Sequence, residues 1–225
     1  MLQRLRTALH NRSFGSTTKL GGPDSELEAD ETFVGGISKN MHKSRRARIA
    51  KFGGMHGNKT IVHGILDRNL RQVRATVVPD VTRETLQNVI LKNVKYGSKL
   101  YTDDAVAYDS GLGSRFVHDF VNKTQSYVRG RVHVNGMENF WALLKRGLKG
   151  TYVAVEPFHL FRYVDEQVFR YNNRATKDNP LNDSDRFALA MHQVSGRRLT
   201  YSELTGKDQS PRLQATGTRE AEVPF

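Results

Sequence analysis

The chain has no cysteine among its 225 residues, only six prolines and a single tryptophan. Without cysteine it can form no disulfide bond and no thiolate metal site. No apolar run approaches the length of a membrane span or of a signal peptide. We therefore expect a soluble, intracellular protein of the cytoplasm that does not bind a membrane.

Acidic residues are absent from a long window that extends from Thr32 to Leu66. Seven basic side chains lie in this basic window: Lys39, Lys43, Arg45, Arg46, Arg48, Lys51 and Lys59. Repulsion between them disfavours a compact element, so we expect a mobile loop. The net charge of +12 indicates an anionic partner, and nucleic acid fits better than a membrane because no basic amphipathic helix stands out. A solvated basic surface without a partner is the alternative.

The apolar residues, 37% of the chain, are enough for one substantial core. Short β-branched and apolar runs predict five strands, at 27–36, 59–68, 72–80, 99–104 and 115–123. Apolar residues at helical spacing predict helices at 82–95, 135–146 and 157–173, a weaker helical piece at 105–108, and one or two small helices within 184–205. This order predicts an α/β fold with a mixed five-stranded sheet flanked by helices. We expect a central domain at 27–175, preceded by a basic helix and linker at 1–26 and followed by small helices and a disordered tail at 176–225.

The predicted helix from Asn135 to Arg146 has an unusual polar face. An α-helix turns by about 100° per residue, so Glu138 and Lys145 lie within roughly 20° of each other. Asn135 and Ala142 fall on nearly the same line, while Phe140, Leu143 and Leu144 point elsewhere. A helix that only packs in a core would not present an amide, a carboxylate and an ammonium group together.

Three acidic residues occupy positions suited to a shared metal site. Asp30 lies in the first predicted strand, Asp103 ends the fourth, and Glu138 lies on the helix after the fifth. Two divalent cations about 3.5–4 Å apart can hold a phosphodiester for in-line displacement, and Mg²⁺ prefers oxygen ligands. The sequence therefore predicts a metal-dependent active site that acts on nucleic acid.

Each of these residues also has a simpler interpretation. Asp30 could face solvent at a strand end, Asp103 could cap a following helix, and Glu138 could be an ordinary surface residue. Asn135 could be the N-cap of its helix, and His133 could be structural or contact a phosphate. Trp141 could lie in the core or form a platform on which a base stacks.

Four ordered motifs carry a family resemblance: DETFVGG, YTDDAVAY, HVNGMENFWALLKRGLKGTY and FRYNNR. Asp103 and Glu138 are 35 positions apart, and Lys145 follows seven residues after the glutamate. This pattern resembles the DDE transposases and retroviral integrases, whose catalytic core has an RNase-H-like fold. More narrowly, residues 27–175 look like an ISXO-like group of bacterial insertion-sequence transposases, whose third acidic position is either Asn or Glu.

The resemblance implies DNA strand cleavage and strand transfer at the ends of an insertion sequence, with two Mg²⁺ or Mn²⁺ ions per site. It assigns the metal ligands to Asp30, Asp103 and Glu138, with Asn135 as the alternative third residue, and places Lys145 against DNA near the scissile phosphate. The expected DNA-contacting residues are Lys43, Arg45, Arg46, Arg48, Lys145, Arg146 and Lys149. The implied partners are transposon ends and target DNA, bound by a homodimer or higher multimer near the bacterial nucleoid.

Members of this group usually carry an upstream Cys-rich zinc ribbon and a helix-turn-helix, and neither pattern is present in this sequence. We therefore expect residues 1–26 to be the remnant of a longer DNA-binding region. Two alternatives stay open: a truncated or non-catalytic DNA-binding protein derived from a transposase, and a nuclease of the same fold.

Overall fold

The computed structural model describes residues 2–9, 18–36, 42–44, 46–47, 59–103, 115–121, 132–152, 155–177, 180–194 and 196–207. Its strands are β1 (Glu26–Val34), β2 (Thr60–Asp67), β3 (Gln72–Val78), β4 (Lys99–Asp103) and β5 (Val117–Val121). Its α-helices are α1 (Leu2–Ala8), α2 (Arg83–Asn93), α3 (Asn135–Gly150), α4 (Leu160–Asn172), α5 (Asp183–His192) and α6 (Tyr201–Thr205). No helix in these ranges is both long and apolar enough to cross a membrane.

The five strands form one mixed sheet in the order β3-β2-β1-β4-β5. β2 pairs antiparallel with both β1 and β3, whereas β4 is parallel to β1 and to β5. This order, with β2 as the antiparallel strand, is that of the RNase-H-like fold. The predicted fold class is confirmed.

The two faces of the sheet carry separate apolar clusters because successive side chains of a strand point to opposite sides. On one face, Ala29 and Ile65 pack with Leu86 and Ile90 of α2. On the other, Val62 and Val73 pack in the cluster that includes residues of α3 and α4. β1 and β2 are therefore covered on both sides, and the side chain of Asp30 lies on the face that α3 covers.

Helix α2 begins as the sequence predicts. The side chain of Thr82 accepts a hydrogen bond from the amide of Thr85, so Thr82 is the N-cap. Leu86, Val89 and Ile90 are the buried apolar residues of this helix.

Helix α3 is longer than predicted. The expected end at Arg146 is wrong because the helix continues through Gly147 to Gly150. A glycine inside a helix costs about 1 kcal/mol relative to alanine. Leu144 and Leu148 are both buried and extend the apolar stripe past Gly147, and their burial outweighs that cost.

The C-terminal predictions agree with the structure in outline. Pro157 opens a short 3-10 turn that leads into α4, where a single helix was predicted. α5 and α6 are the small helices predicted within 184–205, and each begins with a capping box, at Asn182 and Thr200 respectively.

Helix α1 packs against α4 through a buried ion pair. The Arg6 Nε donates to the Glu166 carboxylate at 2.7 Å, and the guanidinium lies over the rings of Tyr152 and Tyr163. Ala8 at the end of α1 is also buried. The proposed domain limits at residues 26 and 175 stay a prediction.

Three sequence predictions concern segments outside the described residues. They are the helical piece at 105–108, the parts of the basic window at 37–41, 45 and 48–58, and the C-terminal tail from residue 208 onward.

Candidate active site

A buried carboxylate of β1 anchors the start of α3. Glu28 is only 1% exposed, and its Oε2 accepts a hydrogen bond from the amide of Met137 at 2.8 Å. The N-cap residue Val134 makes no side-chain capping hydrogen bond, so Glu28 satisfies a first-turn amide that the helix itself leaves unpaired. A negative charge at this position also interacts favourably with the helix dipole.

Arg68 completes this anchor. Its Nε donates to Glu28 Oε1 at 2.7 Å and its Nη1 donates to Glu26 at 3.2 Å. Its Nη2 donates to the backbone carbonyl of His133 and lies 2.8 Å from the His133 Nδ1. The structure thus favours the structural interpretation of His133.

Two glycines let α3 approach the sheet closely. A Cβ at Gly64 would lie 2.4 Å from the Met137 Cε and 2.7 Å from the Trp141 Cη2. A Cβ at Gly136 would lie 2.3 Å from the Leu66 side chain. Real Cβ atoms do not come so near, so each glycine is required by packing rather than by its backbone angles.

Trp141 connects α3 directly to the first predicted acidic residue. Its indole Nε1 donates to Asp30 Oδ2 at 3.0 Å, and the side chain is almost fully buried. The hypothesis that Trp141 stacks on a base is therefore wrong, because its ring is covered. Tyr152, which follows α3, uses its hydroxyl to donate to Glu166 at 2.7 Å.

We expect Gly64→Ala to destabilise the protein by about 1–3 kcal/mol, because the new methyl group must displace Met137 and Trp141. Trp141 is the only tryptophan, so its fluorescence reports on this contact without labelling. The matched control is Gly150→Ala, since a Cβ at Gly150 meets nothing within 4 Å. Equal unfolding midpoints and emission spectra for the two variants would contradict this account of the close approach.

A pocket of about 400 Å³ opens between β1, β4 and α3. The described residues that line it are Asp30, Glu31, Thr32, Asp103, Glu138, Trp141, Ala142 and Lys145. The structure thus brings the three predicted acids to one pocket, with Lys145 beside Glu138 on the helix wall. Asn135, the alternative third residue, is exposed and is not among these lining residues.

Three of the lining carboxylates form a tight cluster. Oxygens of Asp30, Glu31 and Asp103 all lie within 4.8 Å of one another. Sequence reasoning missed Glu31, because strand alternation directs it to the opposite face from Asp30. Its position directly after Asp30 was the available signal, and the spacing pattern gave no reason to select it.

This cluster carries unfavourable negative charge. Burial, followed by the charges of Asp30 and Asp103, raises the pKa of Glu31 to about 8. Burial alone lowers the pKa of the neighbouring His63 to about 3, so its imidazole is neutral near pH 7. The cluster therefore lacks a compensating cation from His63.

The donor set fits a hard divalent cation. Carboxylate oxygens are the ligands that Mg²⁺ and Mn²⁺ prefer, and these ions keep part of their water shell in sites of this kind. Asp30, Glu31 and Asp103 supply such oxygens on the sheet side, and Glu138 lines the same pocket from α3 without belonging to this close cluster. A cation would also relieve the repulsion among the clustered carboxylates.

Comparison with known proteins shows the family of this chain. Residues 19–172 match the model of the ISXO2-like transposase domain. The chain belongs to this family. It is also 33% identical over 106 residues to a transposase-like protein of Haemophilus influenzae, an alignment that covers 47% of this chain and 85% of that protein. Membership supports a transposase-type function within the polynucleotidyl transferase class.

Solved structures similar to this transposase domain include retroviral integrases. The catalytic core of the BIV integrase is 13% identical, with a TM-score of 0.46 and coverage of 74% of this chain and 93% of that one. The HTLV-2 integrase catalytic core in complex with magnesium is 13% identical, with a TM-score of 0.40 and coverage of 77% and 99%. The family assignment here rests on the sequence match, and the fold class rests on the strand order.

The predicted DNA-contacting residues of the transposase domain divide between described and undescribed parts of the chain. Lys43, Arg46, Arg146 and Lys149 are exposed, and Lys145 is partly buried at the pocket. Arg45 and Arg48 lie outside the described residues. Arg146 and Lys149 extend the basic character of α3 beyond the pocket.

The raised pKa of Glu31 gives the metal-free transposase domain a pH-dependent stability. Because the folded state binds this proton more tightly than the unfolded state, the stabilisation is complete below the ordinary pKa of 4.5 and is lost as pH rises through about 8. We expect Glu31→Gln to remove this contribution to the pH dependence of the free energy of unfolding. The free energy is measured by urea unfolding in EDTA between pH 5 and 8.5. The exposed Glu156→Gln is the control, and parallel profiles for wild type and Glu31→Gln would contradict the assignment.

Proposed function

We propose that this chain is the catalytic domain of an insertion-sequence transposase, which cleaves DNA at the ends of its element and transfers the cut strand to target DNA. The observation that carries this proposal is the pocket in which Asp30 and Asp103 meet Glu138 and Lys145. The acids come from distant parts of the chain and share a pocket beside a positively charged side chain. In this proposal Asp30, Asp103 and Glu138 hold two Mg²⁺ or Mn²⁺ ions.

The proposed reaction has two displacements at phosphorus. Water first attacks the phosphodiester at the element's end, a new P–O bond forms, and the bond to the 3′ oxygen breaks, leaving a 3′-hydroxyl. That hydroxyl then attacks a phosphodiester of target DNA, and the target's own 3′ oxygen leaves. Divalent cations supply activation of the attacking oxygen and stabilisation of the leaving one.

The side chains of this domain perform the positioning. The hydrogen bond from Trp141 fixes one oxygen of Asp30, and the rigid strand end holds Asp103 next to it. Lys145 neutralises the phosphate near the cut. The remaining basic residues bind phosphates farther along the DNA: Lys43, Arg45, Arg46, Arg48, Arg146 and Lys149.

The proposed partners are transposon ends and target DNA, in the bacterial cytoplasm at the nucleoid. Two ends of an element must be held together during transposition, so we propose a homodimer or a higher multimer on DNA. Glu138 is the proposed third acid in preference to Asn135, because Glu138 lines the pocket.

A joining assay tests this function. A labelled duplex that copies the DNA flanking the coding sequence, with a free 3′-hydroxyl, is incubated with supercoiled plasmid, the protein and MgCl₂ or MnCl₂. We expect label to become covalently attached to the plasmid in a metal-dependent reaction.

The same gel separates the alternatives. A nuclease of this fold would nick the plasmid without attaching label. A non-catalytic DNA-binding protein would retard the duplex in a salt-sensitive manner and give no covalent product with either metal. Either of these results would contradict the proposal.

A further inference from the structure

His63 is a buried polar side chain whose bonding is incomplete. It lies in β2 with no solvent exposure, and neither ring nitrogen has a hydrogen-bond partner among the described residues. A buried polar group without a partner costs roughly 1–3 kcal/mol, so its presence calls for a compensating role.

The ring points at the acidic cluster. His63 and Glu31 are directly opposite each other in the β1–β2 ladder, and the Nε2 lies 3.7 Å from the Glu31 Oε1. This distance is longer than a hydrogen bond, yet a small movement of either side chain would close it.

Glu31 itself reaches the cluster by an indirect route. Ala29 and Ile65, two positions along from Glu31 and His63, belong to the α2 face of the sheet. Asp30 belongs to the other face, where it contacts Trp141. The Glu31 carboxylate nevertheless comes within 4.8 Å of those of Asp30 and Asp103.

Two observations therefore point to a ligand at the same place. One is the close set of three carboxylates, whose mutual repulsion a divalent cation would offset. The other is the imidazole of His63, which has no hydrogen-bond partner among the described residues and whose Nε2 lies 3.7 Å from the Glu31 carboxylate. Metal-binding side chains are commonly oriented by such an outer hydrogen bond, and its loss typically weakens metal affinity ten- to a hundredfold.

We propose that Glu31 is a ligand of a divalent cation together with Asp30 and Asp103, and that His63 is the positioning residue that donates a hydrogen bond to Glu31 from the α2 face of the sheet. The cation-binding set then comprises four carboxylates, with Glu138 completing it from α3. This inference rests on the proposed function, because it deepens the same metal site.

The test is a titration of the full chain with MnCl₂. Binding is monitored by calorimetry and by the fluorescence of Trp141, whose indole donates a hydrogen bond to Asp30. We expect Glu31→Gln to weaken Mn²⁺ binding at least about tenfold, and His63→Leu to weaken it by about ten- to a hundredfold. His63→Gln, which restores an N–H donor, should return the affinity to within about threefold of wild type. The exposed Glu156→Gln should bind Mn²⁺ as wild type does.

The variants keep the outcomes distinct. Replacing an unpartnered buried imidazole by leucine leaves no new polar group unsatisfied, so His63→Leu is expected to fold, as urea unfolding would verify. Wild-type Mn²⁺ affinity in Glu31→Gln would overturn the ligand assignment while the metal site of the proposed function stands. Equal weakening in His63→Gln and His63→Leu would overturn the positioning role. Absence of Mn²⁺ binding by the wild-type chain would overturn both this inference and the proposed metal site.

Discussion

Asp103→Asn is expected to abolish the proposed metal-dependent DNA cleavage and strand transfer, with a loss of about a thousandfold or more. The carboxylate of Asp103 lies within 4.8 Å of those of Asp30 and Glu31, so its charge is central to the cluster. Loss of an outer partner of a metal ligand already costs ten- to a hundredfold, and loss of a ligand itself should cost more.

DNA retention should survive in the same variant. Asparagine removes a negative charge from the pocket and leaves every lysine and arginine in place, so phosphate binding is not weakened. Cleavage is measured on the labelled duplex with Mg²⁺, and binding is measured by gel retardation at several salt concentrations.

Asp119→Asn is the matched control for this experiment. Asp119 is an exposed aspartate on the neighbouring strand β5, and it does not line the pocket among the described residues. Cleavage by Asp103→Asn at the rate of Asp119→Asn would remove the site from consideration.

Glu28→Gln is expected to reduce the free energy of unfolding by about 3 kcal/mol, which is the cost of removing one partner of a buried ion pair. The glutamine retains an oxygen for the Met137 amide but places an amide group, without charge, against Arg68. Because Glu28 anchors the first turn of α3, the positions of Glu138 and Lys145 should loosen as well. We therefore expect weaker Mn²⁺ binding in addition to a lower urea midpoint.

Glu26→Gln is the control that distinguishes loss of the bond between Glu28 and the Met137 amide from loss of any carboxylate next to Arg68. Glu26 pairs with the same Arg68 at 3.2 Å, whereas the bond to the Met137 amide of α3 is made by Glu28. Substitution of Glu26 should cost less than that of Glu28, because its bond to Arg68 is longer and its side chain is less buried, and Mn²⁺ affinity should be unchanged. Equal effects of the two substitutions on Mn²⁺ affinity would refute the anchoring role of Glu28.

Local patterns in the sequence account for the elements of the fold. Each predicted strand is present, and no strand end differs from its predicted position by more than two residues. Strand alternation and helical periodicity act over a few residues, so they place Asp30, Asp103 and the Glu138–Lys145 face without knowledge of the fold. The motif resemblance then connected these positions to one family.

What the sequence could not show depends on contacts between distant segments. Glu31 lies in one cluster with Asp103 of β4, and Glu28 caps a helix more than a hundred residues away, as its bond to Met137 shows. The bond of Trp141 to Asp30 likewise needs the close approach at Gly64. The extension of α3 from Gly147 to Gly150, about one turn, follows from burial of Leu148, which outweighs local helix propensity.

Anomalous diffraction from crystals grown with MnCl₂ would locate the proposed metal site. We expect Mn²⁺ peaks in the pocket between Asp30, Glu31 and Asp103 on the sheet side and Glu138 on α3. Mn²⁺ peaks only elsewhere on the protein, or no bound Mn²⁺ at concentrations that saturate comparable carboxylate sites, would contradict this expectation.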